Sequence, residues 1–176
     1  MKVKIGKGHH YPWLIPIAFP VWVSAHHGKR RSAWFKFTKS CLFDLQDEDQ
    51  HDVNKLFGFS IGNHHKTSFR FGWRPILKNG TIEIVAYEYH DGVRQTTMPI
   101  CEVETDWWFE MVISYRPQDS KSYYFVNKYN YWDNKEVGFL ANSVNVKKKW
   151  GLGYTLGIYF GGNEVAPQDI TIYRKI

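Results

Sequence analysis

His64 to Arg74 reads HHKTSFRFGWR. Taken with the period of two of a β-strand, it separates into two faces. His65, Thr67, Phe69, Phe71 and Trp73 fall on one side. His64, Lys66, Ser68, Arg70 and Arg74 fall on the other, with Gly72 leaving a gap between the arginines. The first face is apolar core and the second is a cationic row. A turn over Pro75 to Gly80 (PILKNG) and a second alternating run, Thr81 to His90 (TIEIVAYEYH), complete a hairpin. Centring the turn between Leu77 and Lys78 sets Phe69 opposite Ala86, Phe71 opposite Ile84 and Trp73 opposite Ile82. The same register brings Lys66 beside Tyr89, Ser68 beside Tyr87 and Arg70 beside Val85. Both strands then agree on which face is dry, as pairing requires.

Working outward, Lys2–Ile5 and, but for Lys39, Ala33–Phe43 alternate in the same way, Ser122–Asn127, Tyr154–Gly162 and Asp169–Arg174 read as further strands, and Asp91-Gly92 is a hairpin-turn signal. Trp107 to Tyr115 (WWFEMVISY) puts Trp107, Phe109, Met111 and Ile113 on the core side, with Trp108 and Glu110 opposite. Tyr129 to Trp150, with an apolar patch at Val137–Leu140 and the basic run at 147–149, is the least regular part. The chain therefore reads as ten to twelve strands with no long amphipathic helix and no internal repeat. The fold class is all-β, an antiparallel β-sandwich. One domain spans 1–176, with 1–31 an extended arm packed on the sandwich. Phe69, Phe71, Trp73, Ile82, Ile84, Phe109, Met111, Ile113, Ile170 and Ile172 are its expected core.

Composition narrows the function classes. A formal charge of +6 favours anionic partners but falls short of a dedicated nucleic-acid binder. The 18% of aromatic residues suit both a sandwich core and stacking on sugars or bases. Cys41 and Cys101 are too few for a disulfide framework and read as buried free thiols. Zinc-type Cys/His spacings, a P-loop and a dinucleotide fingerprint are all missing from the sequence. Tyr11 to Ala25 imitates a secretory signal, yet prolines at 12, 16 and 20 break any helical apolar region, and the segment is too short to span a membrane. It reads as mature structure, and the chain as cytoplasmic. Asp44 to Asp52 (DLQDEDQHD) is an acidic loop whose four aspartates could surround calcium, but the EF-hand pattern is not there. The loop reads as solvated, and no metal or cofactor is expected.

Tyr154 to Ile172 follows the pattern Y-x-L-G-I-Y-F-G-G-N-x-x-A-P-x-D-I-T-I. It resembles the last two strands of concanavalin A-like jelly rolls, a group that includes lectins, glucanases and polysaccharide lyases. The resemblance implies two stacked curved sheets with a ligand on one sheet face. The E-x-D-x-x-E strand of the glucanases has no counterpart, since Glu83 and Glu88 of EIVAYE fall on opposite faces. Of the alginate-lyase motifs there is an Arg-rich strand (Arg70, Arg74) with nearby histidines (His64, His65). The Q-x-H triplet is missing and the lysine of the third motif is replaced.

Three functional readings remain open. In the first, the outward face of the hairpin binds a glycan or other small anionic, polyhydroxylated ligand without catalysis. Lys66, Arg70 and Arg74 would supply charge, Tyr87, Tyr89 and Trp108 stacking surface. In the second, Arg70 with Asn63, His64 and Tyr159 forms a lyase- or hydrolase-like centre. In the third, the same face holds a nucleotide. The sequence leaves the oligomeric state open.

Overall fold

Phe69, Phe71 and Trp73 are fully buried on one side of their strand in a computed structural model that describes residues 1–13, 18–95, 97–130, 135–147 and 149–176, with backbone alone at 129–130 and 135–144. Thirteen strands run through these residues. They are β1 (Lys2–Ile5), β2 (Pro20–Val23), β3 (Lys29–Phe37), β4 (Asn54–Ser60), β5 (Ser68–Ile76), β6 (Thr81–His90), β7 (Val93–Arg94), β8 (Met98–Glu104), β9 (Phe109–Arg116), β10 (Lys121–Asn130), β11 (Lys135–Asn145), β12 (Gly151–Leu156) and β13 (Ile170–Lys175). They form two antiparallel sheets in a sandwich of jelly-roll type. One has the order β1-β13-β3-β9-β10-β11, and the other β2-β12-β4-β5-β6-β7, with β8 also paired to β6. The N-terminal segment supplies an edge strand to each sheet.

Alternation sorts the side chains between the sheets. None of the ten expected core residues is more than 1% exposed. Phe71 stacks on Phe57 at 5.4 Å and meets Tyr124 of the opposite sheet edge-on at 5.0 Å. Burying each such side chain contributes about 1.5–3 kcal/mol. Glu88 obeys the same alternation and is carried inward. Its carboxylate accepts from Ser122 and Tyr124 of β10 and pairs with His90, which satisfies a charge that would otherwise be costly between sheets. Asp91 and Gly92, with φ of 53° and 87°, make the left-handed turn that the Asp-Gly pair signals.

Several expectations are corrected. The hairpin turn takes four residues, Leu77 to Gly80, because Pro75 and Ile76 remain in β5 and Gly80 adopts φ 65°. The register is therefore two residues from the expected one: Phe69 faces Glu88, Phe71 faces Ala86 and Trp73 faces Ile84. An even shift keeps every side chain on its face while changing all its partners. His64 to Lys66 form a turn, since Asn63 accepts the amides of Lys66 and Thr67 on its carbonyl and that of His65 on its side chain. Trp107 precedes β9 and is exposed, with Lys128 Nζ 5.0 Å from its ring. Cys41, which ends a 3-10 turn at Lys39–Cys41, and Phe43 after it are buried beyond the end of β3. Much of the stretch read as irregular is β11, paired along β10. Side chains of the Val137–Leu140 patch, and Lys148 of the basic run, lie outside the described residues.

Candidate functional site

On the outer face of the second sheet, the observed register places Arg70 directly opposite Tyr87 and Ser68 opposite Tyr89. These four residues line a cleft of about 670 Å³, the size of a small-ligand site. Its floor depends on two irregularities in β4. Lys55 pairs with Gly72 and Phe57 with Phe71, so Leu56 is an extra residue, a β-bulge. Strict alternation from inward Phe57 would turn Lys55 into the core. The bulge lets Leu56 and Phe57 both pack inward and re-aims Lys55 outward into the cleft. At Gly58 a Cβ would stand 2.9 Å from Arg70 Cγ, so glycine leaves room for that arginine to cross β4. Beyond it, the pairing of β12 with β4 lapses at Gly157 and Ile158 and resumes at Tyr159, which exchanges backbone hydrogen bonds with Lys55. The Gly157 carbonyl instead accepts from Arg70 Nη2 at 2.8 Å.

Both cations are poorly compensated. Burial lowers the Arg70 guanidinium to about 10, and its Nε is buried without a partner. Burial, then the charge of Arg70, lowers Lys55 to about 8, with Arg94 acting the same way and Asp52 opposing. Lys55 Nζ lies between the rings of Tyr87 and Tyr159, 4.9 and 5.6 Å from their centroids. Burial, followed by the Tyr89 hydroxyl, raises Tyr87 to about 12. Tyr159 is also raised, by burial first and then by Tyr11. Tyr11 meets Tyr159 edge-on at 4.9 Å, and His10 stacks on the same ring at 5.2 Å. At one end His64 Nδ1 shares a 2.5 Å hydrogen bond with the Tyr154 hydroxyl. Burial, His65 and Arg70 all hold His64 below the ordinary histidine range, which keeps it neutral near pH 7. No Asp or Glu side chain is among the described residues lining the cleft.

Of the residues singled out in the sequence, His64, Arg70, Tyr87, Tyr89 and Tyr159 meet here. Four do not. Arg74 faces Glu83 in the observed register and is held by an ion pair, with a further bond to the His51 carbonyl. Val53 and Val85 pack where Gly72 has no side chain and separate Arg74 from Arg70. Lys66 is exposed in the turn before β5, and Asn63 braces that turn. Trp108 lies just before β9, beside the other sheet, whose Lys36 and Lys175 lie over its ring at 5.6 and 4.4 Å. The continuous cationic row is thus reduced to Arg70, with Lys55 as a second cation that the sequence reading missed. A lysine where alternation points inward, followed by two large apolar residues, was the available signal of a bulge. Tyr11 arrives from the N-terminal segment through tertiary packing and leaves no local signal. His65, assigned to the core face, also lines the cleft.

The acidic loop spends its carboxylates on backbone amides. Asp49 accepts from Asn163 and Glu164, Asp47 from Asp49, and Asp44 from Gln46. Among the described residues no group of three or more His, Cys, Asp or Glu side chains is arranged to hold a metal ion. None of the described helices is long and apolar enough to cross a membrane.

No protein-family model matches the chain, and no curated protein matches it in sequence. Solved structures that align with the chain include a heptameric SAP-like pentraxin from Limulus polyphemus, at 9% identity over 98% of this chain and 74% of that one, with a TM-score of 0.44. Another is the CBM2 module of the evolved Dit of Lactobacillus casei BL23 phage J-1, at 10% identity over 89% and 67%, with a TM-score of 0.46. The lectin UEA-II complexed with galactose aligns at 14% identity over 99% and 86%, with a TM-score of 0.34. At these values none of them carries a ligand or an activity over to this chain.

Proposed function

We propose that the cleft binds an acidic carbohydrate, a short run of uronic acid units. One observation carries this reading: two half-buried cations, Arg70 and Lys55, share a tyrosine-walled cleft whose described lining holds no carboxylate. Burying unpaired cations is costly unless something pairs with them. Arg70 lines the cleft and spends only its Nη2 on a protein acceptor, the Gly157 carbonyl, so the cleft-facing part of its guanidinium can meet a ligand carboxylate. Tyrosine rings supply flat apolar contact and hydroxyls, the combination a sugar ring accepts. Carboxylate-pair glycoside hydrolysis has no acid or base in such a lining. The test is a thermal-shift comparison of an oligouronate with a neutral oligosaccharide of equal length. Ligand at about 100 times its Kd stabilises by roughly 2.7 kcal/mol, which a melting curve resolves.

A second reading is favoured by the His64–Tyr154 hydrogen bond. A neutral imidazole paired with a phenol beside a carboxylate-binding arginine can remove and deliver a proton, the requirement for β-elimination from a uronate. Such a reaction releases an unsaturated sugar whose ultraviolet absorbance rises with turnover. A flat absorbance trace on polyuronates that nevertheless shift the melting temperature would leave binding alone.

A further inference from the structure

We infer that Lys55 is an amine nucleophile: the cleft condenses its Nζ with the aldehyde of a small carboxylate-bearing carbonyl compound, such as an open-chain uronic acid, while Arg70 pairs with the carboxylate. The inference rests on the reading of the cleft as an anion site and adds a covalent step to it.

Three features of the geometry place the amine for this role. The bulge at Leu56 exists at the expense of regular pairing and turns Lys55 into the cavity. The ion pairs among the described residues do not include Lys55, so no carboxylate fixes it as an ammonium. Arg70 projects from the adjacent strand into the same cleft. A desolvated amine beside a second cation is the standard physical route to a nucleophilic lysine. The flanking groups act in both directions. The rings of Tyr87 and Tyr159 and the charge of Asp52 favour the ammonium, while burial, Arg70 and Arg94 oppose it. The balance near 8 leaves about one molecule in ten with a free amine at neutral pH, roughly three-hundredfold more than an ordinary lysine.

The step needs no co-reactant. The nitrogen lone pair attacks the carbonyl carbon, a C–N bond forms, and the carbonyl electron pair moves to oxygen, which takes a proton. The carbinolamine then loses water as nitrogen gives up its proton, leaving an imine. One water is released and nothing is oxidised or reduced.

Glyoxylate, an aldehyde carrying a carboxylate, is the probe. The whole chain is treated with it and sodium cyanoborohydride near neutral pH, and carboxymethyl adducts are mapped by mass spectrometry. Lys55 should be modified at least about tenfold faster than Lys147, whose side chain is 80% exposed. Excess acetate should slow the reaction at Lys55 but not at Lys147, and Lys55→Arg should abolish the fast adduct. Modification of Lys55 no faster than of Lys147 overturns the inference. If oligouronates still raise the melting temperature in that case, only the amine step is lost. A fast adduct that acetate does not slow overturns the pairing with Arg70, and with it the anion reading of the cleft.

Discussion

The guanidinium of Arg70 reaches across β4 to the carbonyl of Gly157, and it does so over Gly58, where no side chain stands. Across β4, β5 is thereby tied to the segment that follows β12. The bond uses Nη2 and leaves Nε buried and unpartnered.

Gly58→Ala tests that crossing. An added Cβ would lie 2.0 Å from the Phe69 carbonyl oxygen and 2.8 Å from Arg70 Cα. Overpacking against backbone cannot be relieved by a rotamer change, so a loss of about 2–3 kcal/mol is expected in denaturant unfolding. A loss below about 0.5 kcal/mol would show that Arg70 does not lie against Gly58.

Arg70→Met separates binding from folding. Losing the charge-assisted bond to Gly157 is offset by no longer burying a guanidinium, so stability should change by less than about 1 kcal/mol. Affinity for an oligouronate should fall about tenfold or more, the loss of a contact worth about 1.5–3 kcal/mol. Calorimetric titration beside a melting curve measures both. Failure of the variant to fold would make the arginine structural.

Lys55→Met should stabilise the protein, and the gain should depend on pH. The folded-state value near 8 lies below the ordinary 10.5, so the charged amine is disfavoured by folding. The penalty is fully present below about pH 8 and is relieved as pH rises toward about 10.5, where the unfolded chain also loses its proton. The variant should therefore exceed wild type by roughly 3 kcal/mol at neutral pH and converge on it in alkali. A gain that is constant with pH would rule out an uncompensated ammonium.

Phe71→Ala probes the core. The ring is fully buried between Phe57 and Tyr124, and its removal should cost about 3–5 kcal/mol. A cost below about 1 kcal/mol would mean that this face of β5 is not the packed one.

Neither cysteine should react with alkylating reagents near neutral pH in the folded protein. Both are free, but only Cys41 is buried as expected, Cys101 being half-buried; burial still raises both thiols to about 12. Two thiols per chain should appear on denaturation without reductant, and finding none would reveal a disulfide.

The dry face of the hairpin was legible because period two assigns faces without knowing partners. Every one of Phe69, Phe71, Trp73, Ile82 and Ile84 is buried accordingly. Register was not legible, because it depends on how many residues the turn consumes, and PILKNG allows more than one answer. That single uncertainty moved Arg70 from Val85 to Tyr87 and Arg74 onto Glu83, dividing an apparent row of charges into a site residue and an ion pair. Lys55 was hidden by a bulge, and Tyr11 by packing between distant segments. Both residues enter the cleft through events that alternation cannot report.

The most direct test of the central claim is the melting temperature of wild type and of the Arg70→Met/Lys55→Met double variant, with an oligouronate, a neutral oligosaccharide of equal length and a nucleotide. Only the oligouronate should stabilise wild type, by roughly 2.7 kcal/mol at about 100 times its Kd, and the double variant should lose that response. Equal stabilisation by the neutral sugar, stabilisation by the nucleotide alone, or an unchanged response in the double variant would contradict a cleft built to hold an acidic sugar.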